Sequence, residues 1–298
     1  MKTLILSDIH ANHAALKAVL DDAYCHFEPD EVWYLGDMAG YGPQPLSVWR
    51  DLRREPIPAG GWLAGNHDWG LVGKLVLSAL FPYLDGVNGG SLKISHFRQE
   101  AEEVLRWHRL ILQDNEELMG HLAGRPVMSR PRPGIYLAHG SFEDNARLAV
   151  TRYLRLPVQP VATLVDKFRQ AATREPAAVH DLVAGDESPA RLFAFGHTHV
   201  AGLWRWQAGR SEWQPLPLDQ TYPLGDLTCQ PLCLNPGSVG FPRDGSGCPG
   251  YVVIDWDDSQ TLVFRRVHYN VEVTRRLMDE KPYSDLLQEV GFLLDSRC

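Results

Sequence analysis

Short apolar runs alternate with amphipathic stretches through the first two thirds of the chain. Leu4-Ile5-Leu6, Glu31-Val32-Trp33-Tyr34-Leu35, Trp62-Leu63-Ala64, Ile135-Tyr136-Leu137-Ala138 and Leu192-Phe193-Ala194-Phe195 are too short for helices and too apolar for loops. They predict buried strands. Between them, Ala14–Leu20, Leu46–Arg54 and Ala162–Thr173 carry helical spacing. From Trp69 to about Ser129 the period is helical throughout. One helix there is capped near Ser95 and carries Phe97, Ala101, Val104, Leu105, Leu110 and Ile111 as far as Leu112, and a second covers Asn115–Leu122. The run Arg130-Pro131-Arg132-Pro133-Gly134 breaks the pattern. After Phe195 come short alternating runs, Leu203–Trp206, Leu232–Leu234, Tyr251–Ile254 and Leu262–Phe264. These predict antiparallel strands that extend the same body or pack a second sheet on it. Helices over Val271–Met278 and Ser284–Leu294 finish the reading.

The 298 residues can bury a sizeable core. A net charge of -8 excludes general affinity for a nucleic-acid backbone, which needs an excess of Lys and Arg. Cys25, Cys229, Cys233, Cys248 and Cys298 form an odd, scattered set with no CxxC pair, expected to be reduced thiols. Ser7-Asp8 interrupts the first apolar run too early for a signal peptide, and no apolar stretch reaches the length of a membrane span. The expected location is the cytoplasm.

Candidate chemistry changes this picture because it recurs at strand ends. Asp8 with His10, Asp37, Asn66 with His67, His139, and His197 with His199 follow the five predicted strands in turn. In an extended chain residues two apart share a face, so Asp8 and His10 are expected to point the same way. Ligands of open α/β sheets gather at the carboxyl ends of strands, and acid plus imidazole there suits a divalent cation. Any one pair is equally a helix cap and a surface histidine; the repetition is what points to a metal site.

The ordered set Asp8-x-His10, Gly36-Asp37, Gly65-Asn66-His67-Asp68, His139 and Gly196-His197-x-His199 resembles the calcineurin-like metallophosphoesterase superfamily. Gly40-Tyr41-Gly42-Pro43, His139-Gly140-Ser141 and Asn235-Pro236-Gly237-Ser238-Val239-Gly240 are similar to phrases of its bacterial phosphodiesterase branch. The resemblance implies an α/β (α+β) fold: a four-layer sandwich of two mixed sheets packed face to face and flanked by helices. It implies one domain over residues 1–298, with a helical insertion at about 69–129. It also implies two divalent metal ions, one held by Asp8, His10, Asp37 and His199, the other by Asp37, Asn66, His139 and His197, with Asp37 bridging. A metal-bridging hydroxide would then attack a phosphodiester in line. His67 would protonate the leaving oxygen, with Asp68 either holding its ring or acting as a plain helix cap. Mixed His/Asp/Asn ligands favour manganese, iron or zinc over Mg²⁺ and Ca²⁺.

Tyr41 is either a contact to a substrate base or aryl group or a turn tyrosine packed on the surface. Arg243 either reaches a phosphate or is a solvated charge. His13 and His96 fall outside the motifs and are expected to ligate nothing. The family's protein phosphatases and dinucleoside polyphosphate hydrolases usually follow the second Asp with Arg-Gly; here the loop is Met38-Ala39-Gly40-Tyr41. That departure weakens those two activities and favours a small phosphodiester, such as a nucleotide, or a phosphomonoester, held mostly by the metals; a nucleotide or Ser/Thr protein phosphatase of the same superfamily is the alternative. A non-catalytic scaffold is the remaining rival, and retention of every ligand and of His67 speaks against it.

Overall fold

A computed structural model describes residues 1–75, 97–154, 159–183 and 187–282 of the chain. Two mixed sheets pack face to face. The first has strand order β2-β1-β11-β12-β9, where β1 is Lys2–Leu6, β2 Glu31–Tyr34, β9 Thr221–Pro223, β11 Gly250–Asp255 and β12 Thr261–Arg266. The second runs β5-β3-β4-β6-β10-β7-β8, with β3 Met128–Arg132, β4 Ile135–Ala138, β5 Val179–Asp181, β6 Leu192–Phe195, β7 Gly202–Gln207, β8 Glu212–Leu216 and β10 Leu232–Asn235. The C-terminal runs are therefore divided between the sheets rather than gathered in one.

Strand alternation builds the layers. Ile5, Trp33, Ile135, Leu137, Leu192, Ala194, Leu232, Val252 and Ile254 meet in the core between the sheets. Their chain neighbours face outward. Leu4, Leu6, Val32, Tyr34, Tyr251 and Val253 pack under α1 (His13–His26) and α2 (Pro45–Leu52). Tyr136, Ala138, Phe193 and Phe195 pack with Phe168 and Ala171 of α7 (Val161–Arg174). Because both faces of these strands are covered, the runs read as continuously apolar.

Several local readings differ. Trp62 makes one parallel bridge to Tyr34 and does not extend into a strand. Arg130, Pro131 and Arg132, part of the run 130–134 read as a break, lie in β3, with Pro131 falling where the pairing with β4 shifts register between Ser129 and Arg132, the position at which a ladder tolerates proline. Arg130 is buried within it and pairs with Asp181 at 2.8 Å. In the helical stretch the structure has α3 (Asn66–Leu71), α4 (Gln99–Leu112) and α5 (Glu116–Gly124). Ser95, His96 and the helix expected over 284–294 lie outside the described residues. Cys25, Cys229 and Cys233 are free, but Cys248 is disulfide-bonded. This corrects the expectation of five reduced thiols, since tertiary proximity rather than sequence spacing decides pairing. Among the described residues no helix is long and apolar enough to cross a membrane.

Candidate metal centre

The centre begins where β1 and β2, a parallel pair, release the chain. The two following loops are joined by backbone bonds: Asp8 N–H to Gly36 O at 3.0 Å, His10 N–H to Asp37 O at 2.9 Å, and Ala11 N–H to Met38 O at 2.8 Å. Asp8, His10 and Asp37 have φ of 53°, 48° and 62°, and His197 and His199, beyond β6, have 64° and 58°. Left-handed backbone costs a non-glycine residue on the order of 1–3 kcal/mol, so the surrounding bonds must hold all five. This changes the explanation of Asp8 and His10. Strand β1 ends at Leu6, so alternation along a strand does not align them; a strained turn does.

Each of the four candidate histidine ligands has one nitrogen engaged by a carbonyl. Nδ1 of His10 donates to Ala39 O at 2.9 Å, Nδ1 of His139 to Leu35 O at 2.8 Å, and Nδ1 of His199 to Phe241 O at 2.6 Å. His197 uses the other nitrogen, donating Nε2–H to Thr151 O at 3.2 Å. Such bonds fix tautomer and ring orientation in metal-ligating histidines. The opposite nitrogens converge on the carboxylates. His199 Nε2 lies 3.3 Å from Asp8 Oδ1, and His10 Nε2 lies 3.7 Å from Asp37 Oδ2. His139 Nε2 lies 3.5 Å from Asp37 Oδ2 and 3.1 Å from Asn66 Oδ1.

Two groups of ligand atoms result, Asp8 with His10, Asp37 and His199, and Asp37 with His139 and His197, each within 4.8 Å internally. Asp37 belongs to both. The unsatisfied atoms show that cations fit. Asp8 Oδ1 and Asp37 Oδ2 are buried with no hydrogen-bond partner, although the other oxygen of each carboxylate accepts from Ser7 Oγ (Asp8) or His67 N–H (Asp37). His10 Nε2 and His199 Nε2 face each other at 3.0 Å with both Nδ1 atoms already donating, so two lone pairs oppose unless a proton or cation lies between. Burial holds His10 and His199 well below the usual imidazole range and His197 at about 3, leaving their lone pairs available. Burial also opposes charge on His139, but Asp37 outweighs it and lifts the ring to about 9. The spot stabilises one positive charge beside Asp37.

His67 joins neither group. It lies at the start of α3, its ring 4.7 Å from that of His10 and 4.9 Å from that of Tyr41. Nδ1 is buried without a partner, pressed on Gly40, where a Cβ would come within 2.2 Å of it. Gly40 at φ 95° is thus required by conformation and by close approach. Asp68 does not hold the His67 ring. Its carboxylate accepts the backbone N–H groups of Asp37 (2.9 Å), Met38 (3.3 Å), Ala39 (3.1 Å) and Gly65 (3.0 Å), because a residue in the first turn of α3 faces the amides before its own helix. It therefore organises the Asp37 loop and touches no candidate ligand side chain.

Tyr41 is buried at 5% exposure and stands 4.8 Å from the His10 ring, so it is not a surface tyrosine. Arg243 places its guanidinium 4.8 Å from the Phe241 ring centre and donates to Tyr41 Oη at 3.1 Å. Segment 142–190, in which the sequence offered no chemistry, adds Thr151 and Tyr153. The Tyr153 ring stacks on His197 at 4.3 Å and 14°. No sequence pattern marks it. His108 on α4 was also missed, and here a signal existed: it falls on the apolar stripe of Ala101, Val104, Leu105 and Leu112. Its Nδ1 accepts from Gly40 N–H at 3.2 Å while Nε2–H donates to Gly42 O at 2.9 Å, which spans the Tyr41 turn with one neutral ring.

Burial pushes His108 down to about 3, so the folded protein binds a proton there less readily than the unfolded chain. The stabilisation is complete above the unfolded pKa of about 6.5 and is lost as pH falls toward 3. His108→Gln is expected to cost about 1–3 kcal/mol at pH 7 through strained or missing bonds and to flatten the acid side of the stability profile. Denaturant unfolding of both proteins at pH 7 and pH 5 checks this; equal pH dependence would contradict it.

Residues 1–259 match the calcineurin-like phosphoesterase superfamily domain. An uncharacterized protein of Methanocaldococcus jannaschii is 38% identical over 275 residues, covering 90% of this chain and 88% of its own. A crystal structure of a metallophosphoesterase from Sphaerobacter thermophilus superposes with a TM-score of 0.65 at 27% identity, covering 98% and 99% of the two chains. A symmetrical bis(5'-nucleosyl)-tetraphosphatase of Erwinia tasmaniensis is 29% identical over 133 residues, 42% of this chain and 46% of that one. With the family domain spanning most of its length around the Asp/His centre, the chain belongs to the calcineurin-like phosphoesterase superfamily, a family of phosphoric ester hydrolases.

Proposed function

We propose that the protein is a dinuclear metal-dependent phosphoesterase whose substrate is a small phosphodiester. The observation that carries this reading is Asp37 Oδ2, a buried, unpartnered oxygen common to two histidine-rich groups. Asp8, His10, Asp37 and His199 would hold one cation; Asp37, Asn66, His139 and His197 would hold the other. Bound there, two divalent ions supply an acidified water and neutralise phosphoryl charge for in-line displacement. The protein's own part is to fix the ligands. Asp68 sets the Asp37 loop, and the carbonyls of Leu35, Ala39 and Phe241 fix three rings. His67 would give a proton to the leaving oxygen. Burial, outweighing the pull of the Asp37 carboxylate, holds it at about 4, and an anionic phosphate beside it would raise that value.

The loop after Asp37 carries no arginine, which favours a small diester held mainly by the metals. The partial likeness to a symmetrical bis(5'-nucleosyl)-tetraphosphatase supports a second reading, in which the same centre cleaves a dinucleoside polyphosphate. Metal content, together with hydrolysis of an aryl diester, an aryl monoester and a dinucleoside tetraphosphate in Mn²⁺, separates the readings. We expect about two metals per chain, fastest cleavage of the diester, loss of activity on chelation and recovery on adding Mn²⁺. Metal without turnover on any of the three substrates would move the weight to a scaffold role.

A further inference from the structure

We infer that Arg243 is the phosphate-orienting residue of this site and that Tyr153, together with Tyr41, positions it. This rests on the phosphoesterase reading above and extends it to residues that the metal motifs leave out.

Three observations converge. Arg243 has no carboxylate within ion-pair distance among the described residues and is accessible to solvent. Its guanidinium nonetheless lies at the centre, 5.8 Å from the Tyr41 ring and 4.8 Å from the Phe241 ring, which pack on His10 and His199. A guanidinium so placed beside a carboxylate- and imidazole-lined site is open to an anion entering from solvent, and its planar fork matches phosphoryl oxygens.

Secondly, the head is held by tyrosines from two different loops. The Tyr41 hydroxyl accepts its Nη2 at 3.1 Å, and the Tyr153 hydroxyl interacts with the same guanidinium. Neutral hydroxyls orient the cation without cancelling its charge, as a carboxylate would.

Finally, the two tyrosines stand on opposite metal groups. Tyr41 packs against His10 of the first, and Tyr153 stacks on His197 of the second. Arg243 therefore meets a tyrosine from beside each group, and in the proposed reading its guanidinium would answer a phosphoryl group held between them. Its own backbone N–H donates to His199 O at 3.0 Å, which ties the residue to the ligand loop. The guanidinium absent from the loop after Asp37 arrives here from the far end of the chain.

The test measures inorganic phosphate binding by calorimetry on Mn²⁺-loaded protein, with metal content of each variant, and kcat and KM on an aryl diester. Arg243→Ala should weaken phosphate by about 10–100-fold, the range of a charged hydrogen-bonded contact, with metal content unchanged, and added ethylguanidinium should restore part of it. Arg243→Lys keeps the charge and should recover less than half of the loss. Tyr153→Phe keeps the ring on His197 and removes only the hydroxyl; about 3–10-fold weaker phosphate binding is expected, on the scale of one neutral hydrogen bond. Wild-type phosphate affinity in Arg243→Ala at full metal content overturns the inference, as does Tyr153→Phe indistinguishable from wild type in both phosphate affinity and KM. Should Arg243→Ala fail to fold, Arg243→Lys decides by the same phosphate measurement. If wild-type protein binds phosphate through Arg243 but cleaves no ester, the hydrolase reading fails and the phosphate contact stands.

Discussion

Replacing His67 with alanine is expected to leave the metal content of the protein unchanged and to lower turnover by about 10²–10⁴-fold, the range for a lost general acid. The separation follows from how the residue is attached. Its backbone N–H donates to Asp37 Oδ1 at 2.8 Å, which orients the carboxylate shared by both groups, and alanine retains that bond. Its side chain belongs to neither ligand group and packs on both the His10 and Tyr41 rings, and in the proposed mechanism it meets the leaving oxygen rather than a cation. Removing the ring opens space against Gly40 and Phe97, so a cost of about 2–4 kcal/mol in stability is expected as for other truncated buried rings. Steady-state kinetics alongside elemental analysis tests this. Near-normal kcat at full metal content would remove His67 from the chemistry, and loss of metal together with activity would make it structural.

The layering was legible in the sequence because burial on both faces leaves a physical trace. Apolar runs of four or five residues, each ending at a polar turn, are what strands between two covered faces must look like, and Ile135–Ala138 and Leu192–Phe195 became such strands. The candidate ligands were legible for a related reason, since histidine and aspartate at successive strand ends have few structural uses in common. What could not be read was how they converge. Left-handed φ at Asp8, His10, Asp37, His197 and His199 is imposed by bonds between loops far apart in sequence, and none of these residues has the glycine that normally announces such backbone. The part played by Asp68 was hidden likewise, because its four partners are main-chain amides, which any sequence supplies. Tyr153 lay in a segment without motif, and only folding stacks it on His197. Strand β3 was masked by Pro131 and by two arginines whose charges are answered by Asp181 and Glu31, 51 and 101 residues away.

Asp37→Asn is expected to empty both metal sites together. The carboxylate uses its oxygens differently: Oδ1 accepts the His67 N–H, and Oδ2 faces His10 at 3.7 Å and His139 at 3.5 Å. Asparagine has one acceptor. If the carbonyl keeps the His67 bond, the NH₂ group points at both histidines and can coordinate nothing; if the amide flips, two N–H groups oppose each other at His67. Either way the negative charge shared by the two sites is gone. Metal-free protein should tolerate the change, because the proton that Asp37 keeps on His139 is released once the carboxylate that chiefly opposes burial there is gone, and no buried charge is stranded there. The expected result is a folded protein that carries well under one metal per chain after gel filtration, where wild type carries about two. Elemental analysis with circular dichroism reads both quantities. Retention of one full equivalent would show that the two groups fill independently, and Asp37 would then serve a single site.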